Sequence, residues 1–122
     1  MEITEIVEKV EGTELTQEKI KEIYERGSFT IDGFEFEITK MTHLFRFELL
    51  GNIAEADKKF NIGSLEYRNK VLDKFRSKVL YDGKVLTSVN NFFEDNVELL
   101  IPFIEVCTLV FTYPLRRKKT IS

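Results

Sequence analysis

One cysteine, one histidine and no tryptophan occur in a chain of 122 residues, and each scarcity excludes a kind of chemistry. A lone Cys107 rules out an internal disulfide and fits a reducing compartment. Zinc sites draw several ligands from Cys and His; here there is one of each, Cys107 and His43, 64 positions apart. With no second histidine, no His–carboxylate pair can recur within the chain. The six glycines form neither a dinucleotide-binding nor a phosphate-loop pattern. No apolar run reaches the ~18 residues of a membrane span. The acidic opening MEITEIVEKVEG has no signal-peptide pattern. The expectation is a cytoplasmic protein with no catalytic residue, no cofactor and no metal.

What the chain does have is phenylalanine and charge. It carries eleven Phe, 43% hydrophobic and 32% charged residues, and a net charge of −3. These are the proportions of one folded domain with a modest core. The negative balance gives no general reason to bind nucleic acid. Charge comes in blocks: residues 1–26 hold eight acids and four bases, and residues 57–84 hold eight bases and four acids. Residues 85–115 hold four acids and no base, and Arg116, Arg117, Lys118 and Lys119 follow. Such blocks are solvated faces first, and they also suit contacts with an oppositely charged neighbour.

The clearest local signal is Ser28 to Thr39, SFTIDGFEFEIT. Asp32-Gly33 between two alternating runs predicts a type I′ hairpin, since both turn residues need positive φ. That turn sets Ile31 opposite Phe34 and Phe29 opposite Phe36. It puts Phe29, Ile31, Phe34, Phe36 and Ile38 on one face, with Thr30, Glu35 and Glu37 on the other. Two strands alone are marginal in water, so the rest of the chain or a partner has to cover the apolar face.

Residues 1–15 allow a helix or a strand, and Gly12 ends either. A helix follows, capped by Thr16 and closed by Gly27, with Leu15 and Ile20 at staple spacing. Its apolar side, Ile20, Ile23 and Tyr24, is narrow, which predicts a peripheral helix. Thr42 caps a second helix over 41–60, where Phe45, Leu49, Ile53 and Phe60 recur at helical spacing and Leu44 and Leu50 widen the stripe. Asn61-Ile62-Gly63 stops it and Ser64 starts another, with Leu65, Leu72, Phe75 and Val79 on one face and Arg68, Lys70, Lys74, Arg76 and Lys78 largely off it. Asp82-Gly83 repeats the turn dipeptide. A second hairpin of 79–81 with 84–86 is open to it, but the helical spacing through Phe75 and Val79 favours a helix end and a tight loop. A short segment carries Phe92 and Phe93. The last element, 97–111, is apolar or Pro at twelve of fifteen positions, predicting burial and a kink or fresh start at Pro102. The surplus suggests contact with another chain, through Leu99, Leu100, Phe103, Ile104, Phe111, Phe92 and Phe93. The expected fold is α+β: an N-terminal helix, one β-hairpin and about three to four helices packed on it. It forms one domain over 1–115 with a basic tail over 116–122.

The order of these features resembles the small tail assembly chaperones of long-tailed bacteriophages of Gram-positive hosts. The resemblance rests on F-x-I-D-G-x-x-F-x-I at 29–38, K-V-L-Y-D-G-K-x-L at 78–86, FFED at 92–95 and the apolar helix beyond. It spans roughly residues 29–111, and Asp32, Gly33, Asp82 and Gly83 are its structural turns. Where that family often has Lys after the first turn, this chain has Phe34. The resemblance implies a non-enzymatic protein that binds the tape-measure protein, keeps its helices soluble, recruits tail-tube subunits and forms homo-oligomers. The net charge and the lack of a long apolar run give the expectation of no nucleic-acid or membrane partner. In that family ribosomes often slip near the end of the gene and append a second domain; Lys118-Lys119 can be encoded by AAA AAA, a slippery run. The other reading of a small acidic protein without reactive clusters is a phage- or mobile-element-encoded inhibitor or adaptor that docks on a host or defence protein. Gene position separates the two: a chaperone gene lies between the tube and tape-measure genes.

Overall fold

The computed structural model describes residues 10–59, 65–89 and 91–116. It is an α+β fold in which one antiparallel sheet, in the order β1-β2-β3-β4, carries helices on one face. Helix α1 (Gln17–Arg26) begins as predicted: Thr16 Oγ1 accepts the Lys19 amide at 3.1 Å. It ends at Gly27, which sits in the left-handed region with φ 78° and donates its N–H to Ile23. Ile20 and Ile23 are its buried residues, the narrow apolar side of a peripheral helix.

Strands β1 (Ser28–Ile31) and β2 (Phe34–Ile38) form the first hairpin with the expected register, Phe29 opposite Phe36 and Ile31 opposite Phe34. Asp32 and Gly33 have φ 50° and 88°, the pair of positive values a type I′ turn requires. Phe29, Ile31 and Phe36 are fully covered, and Phe34 and Ile38 are half-buried at the sheet margin. Val10 bridges Ile31 on the free side of β1, so part of the N-terminal segment is extended; residues 1–9 lie outside the described residues.

Helix α2 (His43–Lys59) is capped by Thr42, whose hydroxyl accepts the Phe45 amide at 3.0 Å. The stop at 61–63 and the restart at Ser64 lie outside the described residues. From there α3 (Leu65–Tyr67) runs through a π-helical turn, Arg68–Leu72, into α4 (Asp73–Ser77). Here the structure corrects the expectation of a helix end and tight loop at Asp82-Gly83. Val79–Tyr81 is β3 and Lys84–Val85 is β4, joined by that dipeptide with φ 54° and 78°. The physical reason lies at Val79. Its buried side chain serves equally as the next turn of the Phe75 stripe and as the first inward residue of a strand. β3 then pairs with β2, Phe36 opposite Tyr81 and Ile38 opposite Val79. The sheet thus has two hairpins where one was expected, and β2 becomes an interior strand.

Helix α5 (Phe92–Asp95) and a 3-10 turn, Val97–Leu99, lead into α6 (Leu100–Phe111), followed by α7 (Tyr113–Arg116). Pro102 falls in the first turn of α6, where its missing N–H has no intrahelical acceptor to lose, so a new helix starts there and no kink is needed. Pro114 sits within α7, and Arg117 onward lies outside the described residues. Phe103 joins the layers: its ring lies 6.3 Å from Phe29, 5.8 Å from Phe36, 6.5 Å from Phe75 and 4.9 Å from Phe93. Aromatic pairs at these separations add packing beyond the area they bury. α6 is therefore the lid on the hairpin.

Candidate protein-binding surface

The residues expected to meet a partner are mostly spent on the chain's own core. Leu99, Phe103 and Phe111 are fully buried, Ile104, Phe92 and Phe93 are buried, and Leu100 is half-buried. The apolar surplus of 97–111 is absorbed because α6 is covered on several sides: it packs on α1, α7 and the inner face of the sheet. Cys107 is fully enclosed in α6, and burial pushes its thiol well above the ordinary range, so it behaves as a small apolar residue.

Among the described residues, the exposed large apolar side chains are a group on α2 and, apart from it, Val97. Leu44 is 69% and Phe47 60% exposed, and Leu50 is also on the surface. Gly51 and Ala54 continue the line at helical spacing, both exposed. The opposite side of the same helix is buried through Leu49, Ile53 and Ala56, with Phe45 half-buried. Leu44 and Leu50 were expected to widen that inner stripe; they face out instead, because α2 is apolar on both sides and its inner stripe is complete without them. The helix is held so that this ridge stays outward. Arg46 donates to the Phe111 carbonyl at 2.6 Å, at the C-terminal end of α6, and its guanidinium lies 5.4 Å from the Tyr24 ring. Lys74 and Lys78 cover the other edge, 5.8 and 5.0 Å from the Phe45 ring.

Lys70 and Arg76 of the basic stripe after α2 are taken up in similar contacts. Lys70 pairs with Glu55 at 3.5 Å, and Arg76 with Asp73 at 2.7 Å and with the Leu86 carbonyl at 3.1 Å. Beside it a groove of about 240 Å³ opens between α2 and α6, lined by Asp57, Tyr67, Ile101, Glu105, Thr108 and Leu109. Burial, with the charge of Asp57 and a hydrogen bond to it, pushes the Tyr67 hydroxyl up to about 12, so this tyrosine stays protonated and donates.

The outer face of the sheet is polar. Glu35 and Glu37 point away from the core on β2, above a shallow concavity of about 1010 Å³ that also touches Ser28, Leu80 and the two Asp-Gly turns. These acids stand on an interior strand, because β2 has a neighbour on each side. At the β1 edge, Glu11 fastens the N-terminal segment. Its carboxylate accepts the Thr30 amide at 2.6 Å and pairs with Arg26 at 2.7 Å. Burial works to raise the Glu11 carboxyl, but the bonds from Arg26 and Thr30 outweigh it and hold the group below its ordinary value.

Among the described residues there is no group of three or more His, Cys, Asp or Glu placed to hold a metal ion, and no helix is long and apolar enough to cross a membrane. His43 stands exposed at the first residue of α2. No family model matches the chain, and neither does any curated protein or solved structure.

Proposed function

We propose that this chain is a non-enzymatic tail assembly chaperone of a long-tailed phage, which holds apolar helices of the tape-measure protein and brings tail-tube subunits to them. The observation that supports a binding role is the outward ridge Leu44–Phe47–Leu50 on α2, set on a rigid helix whose other side is anchored in the core. Large apolar side chains grouped on a surface mark a contact for another molecule more often than singly scattered ones do. A helix face of this kind suits an amphipathic helix as ligand, read as anchors at helical spacing. The order of the two Asp-Gly turns, the FFED segment and the apolar helix supports the choice of phage tail assembly over other binding roles.

The test is co-expression with the product of the neighbouring long, coiled-coil-rich gene, followed by affinity capture. The reading expects the long protein in the soluble fraction and in the eluate. If it stays insoluble and uncaptured, with this chain folded, the reading fails.

A further inference from the structure

The groove between α2 and α6 combines apolar walls with two acids that the fold itself does not use. Its volume, about 240 Å³, lies below the ~300–1,000 Å³ of pockets that enclose a cofactor or a drug-sized molecule. Its occupant is therefore smaller, on the scale of one side chain. Ile101 and Leu109, about two turns apart on α6, are half-buried in its walls, and Ile104 is buried between them. Two carboxylates stand at its rim on different helices: Asp57 near the end of α2 and Glu105 on α6, both exposed. Tyr67, buried under the groove, hydrogen-bonds to Asp57, which restrains that carboxylate and favours its charged form.

Among the described residues, no base lines this groove and no cation pairs with Glu105. The neighbouring bases are engaged elsewhere, Lys59 and Lys70 on Glu55 and Arg76 on Asp73. Two carboxylates with apolar walls offer a Ca²⁺ or Mg²⁺ ion too few oxygens. They are instead the complement of a side chain with an apolar stem and a cationic head. Of the two side chains with that form, arginine suits acids on two different helices better. Its planar fork of donors can bond both carboxylates, where an ammonium is a point charge.

We propose that this groove takes an arginine side chain of a partner protein, with its stem against Ile101 and Leu109 and its guanidinium between Asp57 and Glu105. Exposed carboxylates alone pair weakly; the buried stem adds apolar area to the pairing. Position ties the groove to the ridge. Leu50 and Asp57 are seven residues apart, so they share one side of α2, and the Leu50 border of the ridge runs into the groove. A helix lying on Leu44 and Phe47 thus has the groove beside it. The inference rests on the reading of the ridge as a contact for a helix. It adds the chemistry of that helix: apolar anchors, and an arginine on the flank that meets α6.

The test titrates N-acetyl-arginine methylamide into the isotope-labelled full chain and follows its backbone amides by NMR. The citrulline counterpart serves as a neutral probe of the same shape. The arginine probe is expected to shift the amides of Ile101, Glu105 and Leu109 saturably at millimolar concentration, and the citrulline probe to bind at least fivefold more weakly. Asp57→Asn combined with Glu105→Gln is expected to remove that difference, while amides elsewhere on the fold keep their positions. No saturable shift at these amides, equal binding of the two probes, or a response that survives the double variant would overturn the proposal. A lysine probe as strong as the arginine one would overturn the choice of guanidinium. Capture of the long protein without a response to arginine sinks the groove and leaves the chaperone reading standing; a response to arginine without capture does the reverse.

Discussion

Three residues show how single positions govern this fold. Gly33 has φ 88° in the first turn, a value that a β-branched residue adopts only with strain. Gly33→Val is expected to cost about 1–3 kcal/mol, read as a lowered denaturant midpoint; an unchanged midpoint would argue against the turn geometry. Gly51 makes the opposite prediction. With no positive φ and free space at its Cβ, Gly51→Ala should stabilise by about 0.5–1 kcal/mol, seen as a rise in melting temperature. A fall would mean that the helix needs glycine for its own packing. Glu11 links stability to pH. Its folded carboxyl titrates below its unfolded value, so its contribution is complete above the ordinary carboxylate range and disappears as pH falls through the lowered folded value. Glu11→Ala strips the Thr30 amide of its acceptor and should cost about 1–3 kcal/mol near neutrality. Chemical denaturation of wild type and variant across pH checks this: the gap between them should close on acidification, and a gap that widens in acid would contradict the assignment.

At the scale of elements, the sheet and α6 depend on each other. The hairpin's inner aromatics stack with each other, Phe29 and Phe36 at 5.3 Å, and both meet Phe103 from the lid. Phe103→Ala opens a cavity where sheet, α4, α5 and α6 converge, and is expected to cost about 3–5 kcal/mol. Calorimetry should show one cooperative transition moved down, and a sheet that melts separately would contradict a shared core. The same elements show what the sequence discloses. The first hairpin was legible because Asp32-Gly33 is flanked by two runs long enough to alternate. The second was not: β3 and β4 have three and two residues, too short to show a period, and Val79 satisfies helix and strand spacing alike. Periodicity placed α2 but could not orient it. Apolar residues lie on both of its sides, and only its packing decides that Leu49, Ile53 and Ala56 go in while Leu44 and Phe47 stay out. For the same reason the high apolar content of 97–111 reads in sequence as a partner surface, while in the fold most of these side chains are enclosed by the chain itself. The one sequence signal that pointed to the ridge was Gly51 inside a helix, flanked by apolar residues at matching spacing.

For the whole molecule, the arrangement separates an anchored interior from two different exteriors. One is the polar outer face of the sheet with Glu35 and Glu37; the other is the apolar ridge of α2. The proposed binding role rests on the ridge. Phe47 is 60% exposed, so Phe47→Glu replaces an outward ring with a charge and leaves the core as it is. The decisive measurement is the affinity of the wild-type chain and of Phe47→Glu for the product of the neighbouring long gene, taken by titration at equal melting temperature. A loss of tenfold or more in the variant is the predicted result. Equal affinity of the two proteins would contradict it.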